Sequence, residues 1–126
     1  MLPVAVPSHT PLLAEASASF RQALAKAHLP AEVPSGVRLL SGIDGGTVFD
    51  VSAGADKLAR QIQQTVDWAA CMHSCRAAGV AKVVEFGPGH ALAHMMHEFM
   101  RDSDVHSLSE FHSLPGCEHW VQGSSA

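Results

Sequence analysis

Apolar side chains along this chain recur with two periods, and their alternation predicts the architecture. An uninterrupted run, Leu2-Pro3-Val4-Ala5-Val6, reads as a buried strand and breaks into Pro7-Ser8-His9-Thr10-Pro11. Beyond it Leu13, Ala16, Phe20, Ala23, Leu24 and Ala27 return at helical spacing, so residues 11–28 are predicted to be one amphipathic helix packed on the sheet by that stripe. Pro30, Pro34 and Gly36 mark a loop, and residues 37–41 a second short strand. The Asp44-Gly45-Gly46 turn and the run Thr47-Val48-Phe49 predict a small hairpin, with residues 50–54 as the next turn. Residues 55–65, with Leu58, Ala59 and Ile62 on one face, are predicted to be helical, and residues 68–78 a further helix closed by Gly79. Residues 80–86 read as a strand, Gly87-Pro88-Gly89 as a tight turn, and residues 90–101 as a helix with Leu92, Met95, Met96 and Phe99 as its apolar positions. Residues 105–108 are predicted as a last strand, Ser109-Glu110-Phe111 as the start of a short helix, and residues 123–126 as a frayed end. Strands alternating with helices imply an α/β fold with a short parallel sheet and flanking helices.

Composition narrows the setting. A chain of 126 residues is long enough for one modest core and too short for two. Apolar residues make up 47% and charged residues 16%, below the usual quarter, the balance of a fragment that expects a covering partner. A net charge of −4 and no run of Lys or Arg leave no electrostatic footprint for nucleic acid or an anionic membrane. No stretch reaches the roughly 20 apolar residues of a membrane span, and the first residues do not resemble a signal peptide, so the expected location is the cytoplasm. Three cysteines, Cys71, Cys75 and Cys117, fit reduced thiols in that compartment.

The chemistry that local pattern can find centres on His9, at the end of a strand in a loop of the kind that carries reacting groups in parallel α/β sheets. A histidine accepts a proton near neutral pH when its other ring nitrogen is held by an acceptor. The same position also suits an ordinary capping or surface histidine. At Val83-Val84-Glu85-Phe86-Gly87-Pro88-Gly89-His90 a strand feeds a glycine-flanked turn into a helix, whose first amides can hold an anion. The turn lacks the third glycine of a dinucleotide fingerprint and the Gly-Lys-Ser/Thr of a phosphate loop, and a purely structural turn fits better. Nine histidines raise a metal alternative: His90, His94 and His97 fall near one helical face, and Cys71 and Cys75 lie four apart with His73 between them. Neither set has a zinc-motif spacing. Cys71 and Cys75 also read as small buried apolar residues, Trp68 and Trp120 as packing, and Met95-Met96 as core filler.

Four ordered stretches carry a family resemblance: Val4 through Leu13; Leu39-Leu40-Ser41-Gly42-Ile43-Asp44-Gly45; Ala59-Arg60-Gln61-Ile62 with Val66-Asp67-Trp68; and Glu85-Phe86-Gly87-Pro88-Gly89. In this order the chain resembles malonyl-CoA:acyl carrier protein transacylases. Ser8-His9-Thr10-Pro11-Leu12-Leu13 and Gln64-Thr65-Val66-Asp67-Trp68-Ala69-Ala70-Cys71 are most similar to the malonyltransferase (epsilon) subunit of malonate decarboxylase. The resemblance covers nearly the whole chain but only the C-terminal portion of the family's domain. It implies that residues 1–126 form a partial acyltransferase domain, from the hydrolase-like large subdomain.

In that family a serine in an elbow attacks the thioester, the histidine matching His9 takes its proton, and an arginine binds the malonyl carboxylate. A main-chain carbonyl orients the histidine, at the position matching Gln61. The chain departs from the pattern in having no Gly-x-Ser-x-Gly elbow, no N-terminal glutamine loop and no ferredoxin-like subdomain; Ser8, Ser41, Ser74 and Ser107 lack the elbow setting. The resemblance therefore implies an acyltransferase whose isolated chain is inactive. It implies no resident cofactor, malonyl-CoA as substrate, and as partners a carrier protein or subunit bearing a phosphopantetheine-type thiol and a separate N-terminal acyltransferase segment. Arg38, Lys57, Arg60 and Lys82 are the basic residues open to an acidic carrier. The alternatives are a non-catalytic assembly module that needs an N-terminal partner, and a small zinc-binding domain.

Overall fold

The computed structural model describes residues 6–123, so the first predicted strand, apart from Val6, and residues 124–126 of the predicted frayed end lie outside the described residues. Five α-helices and four short strands are found among the described residues, an α/β arrangement, and contacts gather them into one unit ending at Ser74 and another beginning at Cys75.

In the first unit a 3₁₀ turn, Pro11–Leu13, leads into α1, Ala14–Lys26. The predicted stripe faces inward only in part: Leu13 and Leu24 are half-buried and Ala16, Phe20 and Ala23 stay exposed, while Ser17, outside the stripe, is buried. Among the described residues the principal partner of α1 is α2, Val51–Arg60. A small side chain lets two helices approach, and the Ser17 hydroxyl donates to the Ala59 carbonyl at 2.7 Å, which a large apolar residue could not do.

The predicted hairpin is present, with β1, Leu39–Leu40, antiparallel to β2, Thr47–Val48, pairing Leu39 with Val48 and Leu40 with Thr47. The strand predicted over 37–41 shrinks to these two residues. α2 begins at Val51, where a turn was expected, because the Asp50 carboxylate accepts from the N–H groups of Ser52 and Ala53 at 3.3 and 3.0 Å and caps the helix. Gly54 is a contact glycine rather than a turn glycine: a Cβ there would lie 2.6 Å from Val48 Cγ1. The helix also ends at Arg60, before the predicted Thr65, with residues 61–64 in turns. α3, Trp68–Ala77, starts on Asp67, whose carboxylate accepts from the Ala70 N–H at 2.9 Å, and is followed by Gly79 at φ +70° as expected. Val48, Ala59 and Cys71 form the apolar core of this unit.

The second unit supplies the predicted parallel pair. β3, Lys82–Glu85, and β4, Asp104–Ser107, run parallel from Lys82 opposite Asp104 to Glu85 opposite Ser107, joined by α4, Ala91–Phe99. The buried face of α4 is Ala93 and Met96, continued by Met100, while Leu92 and Met95 are exposed and Phe99 is half-buried. Only Met96 of the predicted Met95-Met96 pair is core. The rotation is fixed at the helix start, where Glu85 Oε2 accepts from the Ala93 N–H at 2.7 Å and draws that residue onto the strand.

A 3₁₀ turn, Leu108–Glu110, replaces the short helix expected from Ser109, and α5, Leu114–Gln122, was not anticipated. Pro115 and Gly116 disguised it. Ser113 accepts from the Gly116 N–H at 3.2 Å, and proline is tolerated in a first helical turn. α5 is tied to the sheet by Trp120 Nε1 donating to Asp104 Oδ2 at 2.9 Å and by Lys82 Nζ donating to the carbonyls of Trp120 and Gly123. No helix among the described residues is long and apolar enough to cross a membrane.

Candidate active site

The last carbonyls of a helix have no intrahelical partner, and at the end of α2 they are met from another part of the chain. The N–H of His9 donates to the Ile62 carbonyl at 3.0 Å, and His9 Nδ1 lies 2.5 Å from the carbonyl oxygen of Gln61. The two residues of this ring–carbonyl contact are 52 positions apart in sequence. A carbonyl only accepts, so Nδ1 carries the hydrogen and the lone pair sits on Nε2. His9 is exposed, and it is the one non-glycine among the described residues at positive φ, +63°. Beside it Thr10, ahead of Pro11, is extended, and its hydroxyl donates to the Pro7 carbonyl at 2.7 Å.

The end of α2 is braced on two sides. Ser17 on α1 donates to Ala59 O and accepts from Gln63 Nε2 at 3.2 Å. Lys57 donates to Asp44 Oδ2 at 2.7 Å, linking the helix to the hairpin turn. That hydrogen bond, together with the Gly46 N–H, holds the Asp44 carboxyl below the ordinary carboxylate range.

Other sequence candidates are placed differently. The helix start after Gly87-Pro88-Gly89 is engaged internally, with Glu85 on the Ala93 N–H and Ser107 Oγ donating to the Gly89 carbonyl at 2.7 Å. Of the serines, Ser74 donates to Gly45 O at 2.8 Å, Ser41 and Ser107 are buried, and Ser8 is exposed. His94 lies 3.7 Å from Glu98, and no three His, Cys, Asp or Glu side chains among the described residues are grouped to hold a metal ion. Cys71 is buried with its thiol 3.4 Å from the Ser41 carbonyl, and Cys75 is half-buried. Among the basic candidates, Lys57 pairs with Asp44, Arg60 with Asp56 at 3.2 Å, and Lys82 is bound to carbonyls, while Arg38 is exposed.

Sequence reasoning missed one cluster. His106 is clasped between Glu110 Oε2, 2.6 Å from Nδ1, and Asp104 Oδ1, 3.1 Å from Nε2, and its ring meets Phe111 and Trp120 edge-on. The His106 hydrogen bond, with a smaller contribution from the Ser107 N–H, lowers the Glu110 carboxyl from its usual value. The spacing of His106 and Glu110 was the available signal.

No family model matches the chain. It is 30% identical over 109 residues to the malonyl CoA-acyl carrier protein transacylase of Salmonella typhimurium, a match covering 86% of this chain and 34% of that protein. Among solved structures, MCAT from Mycobacterium tuberculosis aligns with a TM-score of 0.78 and 28% identity over 96% of this chain and 38% of its own. The acyl-carrier-protein S-malonyltransferase of Burkholderia pseudomallei aligns with a TM-score of 0.71 and 33% identity, over 85% of this chain and 34% of its own. The chain thus spans about a third of the length of the relatives it matches. In sequence and in fold it is similar, over most of its length, to part of these malonyl-CoA:acyl carrier protein transacylases.

Proposed function

We propose that this chain contributes the general base of a malonyl transfer from coenzyme A to an acyl carrier protein, with His9 as the base and the Gln61 carbonyl as its orienter. The observation that carries this reading is the 2.5 Å approach of His9 Nδ1 to Gln61 O on an exposed ring, which leaves the Nε2 lone pair for a proton. A serine from polypeptide outside this chain supplies the nucleophile. His9 Nε2 takes the serine proton as the oxygen attacks the malonyl thioester, and returns it to the departing coenzyme A sulfur. In the second half the carrier's phosphopantetheine thiol gives its proton to Nε2, attacks the malonyl-serine ester, and the serine oxygen regains the proton. The carbonyl end of α2 favours the positive charge that the ring carries between these transfers.

The finer assignment is a subunit of the malonate decarboxylase epsilon type, supported by the residues from Ser8 to Leu13 and from Gln64 to Cys71. The other reading, an assembly module, is favoured by Leu12, which lies three residues from His9 and is 80% exposed. One experiment separates them: the chain is combined with a polypeptide bearing the serine elbow, and malonyl loading of the carrier is measured. His9→Ala is expected to lower transfer by about 10²–10⁴-fold while pairing between the two pieces persists. Full transfer by the alanine variant removes His9 from the mechanism.

A further inference from the structure

The carbonyl that meets His9 is aimed by the final turn of α2, and one buried hydroxyl from α1 grips that turn. Ser17 is only 3% exposed. Its hydroxyl hydrogen goes to the Ala59 carbonyl and its oxygen accepts from the Gln63 side-chain amide, so its two partners lie two residues before and two residues after Gln61. Helix ends fray, because each terminal carbonyl has lost the next turn's N–H, and a carbonyl's direction there follows from how the turn is pinned. Serine is a poorer residue than alanine inside a helix, and the hydroxyl therefore has to be explained by what it binds.

We propose that Ser17 is a positioning residue which, by bridging Ala59 and Gln63, fixes the last turn of α2, directs the Gln61 carbonyl onto His9 Nδ1 and so holds the imidazole in its Nδ1–H tautomer. The inference deepens the reading of His9 as a base acting through Nε2 and rests on it. Ser17 acts through Gln61 alone. Its loss leaves Ala59 O with the Ile62 N–H at 3.2 Å and removes the acceptor that Gln63 uses.

The test is the tautomer of His9 in the 126-residue chain itself, read by long-range ¹H–¹⁵N correlation at about pH 8.5, where an ordinary histidine is neutral. The parent chain is expected to give the Nδ1–H form. In Ser17→Ala the ratio of Nδ1–H to Nε2–H is expected to fall about five-fold, the factor associated with one hydrogen bond, with the far-UV circular dichroism of the parent. Ser17→Thr, which keeps the hydroxyl, is expected to restore the parental ratio. Gln63→Ala, at a half-buried position, removes the other arm and is expected to shift the ratio in the same direction; it decides the matter if Ser17→Ala does not fold.

A folded Ser17→Ala or Gln63→Ala chain with the parental ratio overturns the role of Ser17 and leaves the His9–Gln61 pair standing. A parent chain with the Nε2–H form overturns that pair as well.

Discussion

At the scale of single residues, the loop holding His9 was visible in the sequence and its partner was not. An apolar run broken by two prolines around a histidine is a local pattern, read within ten positions. The Gln61 carbonyl belongs to the main chain and lies 52 positions away, so no side-chain type announces it; the family resemblance alone supplied that residue. The positive φ of His9 is equally silent, and it accompanies a bond from its N–H to Ile62 O, a partner far along the chain. Gly45 is another backbone requirement. It sits at φ +67°, and a Cβ there would lie 2.5 Å from the Ala70 carbonyl carbon, an immovable neighbour. Gly45→Ala is therefore expected to destabilise the chain by about 2 kcal/mol or more in urea unfolding. A midpoint within error of the parent would contradict the close approach.

Among the elements, α2 does most to build the candidate site, and two predictions concern its ends. Asp50→Ala removes the acceptor for two first-turn N–H groups and is expected to cost about 1 kcal/mol, measured by thermal or urea unfolding. Asp44, bound to Lys57, has a folded-state pKa below its unfolded value, so it binds fewer protons folded than unfolded as acid is added. Its stabilisation is present above the ordinary carboxylate range and is lost as pH falls through the lowered value. Asp44→Asn is expected to flatten that part of the stability profile; an unchanged slope between about pH 5 and pH 2 would show that the pair contributes nothing. The order of helices and strands was legible, but their faces were not. The apolar stripes predicted for α1 and α4 turn inward only in part: Leu13, Leu24 and Phe99 are half-buried and Met96 is core, while the deepest contacts include Ser17 and Ala93, small residues whose hydroxyl and N–H are hydrogen-bonded there. α5 escaped because a proline and a glycine near its start resemble a loop until Ser113 is recognised as a cap.

For the molecule as a whole, the chain's homology to part of the transacylases and its lack of an elbow serine lead to one expectation. The purified chain alone should load no malonyl group onto a carrier, as followed by labelled malonyl on the carrier thiol, and measurable loading without added protein would overturn the division of labour proposed above. Exposed apolar side chains in each unit, among them Phe49 and Phe86, fit a surface that another polypeptide covers. By itself the sequence determined the order of α1 to α4, the hairpin, the parallel pair and the proline-flanked loop at His9, because each is written in short-range periodicity, turn residues and prolines. Only the tertiary structure decided which helix faces turn inward, how closely the Gln61 carbonyl approaches the imidazole, and that a serine on α1 grips the same turn. Those outcomes depend on backbone groups left unpaired at a helix end and on how closely two helices approach, and neither is encoded in the spacing of apolar residues.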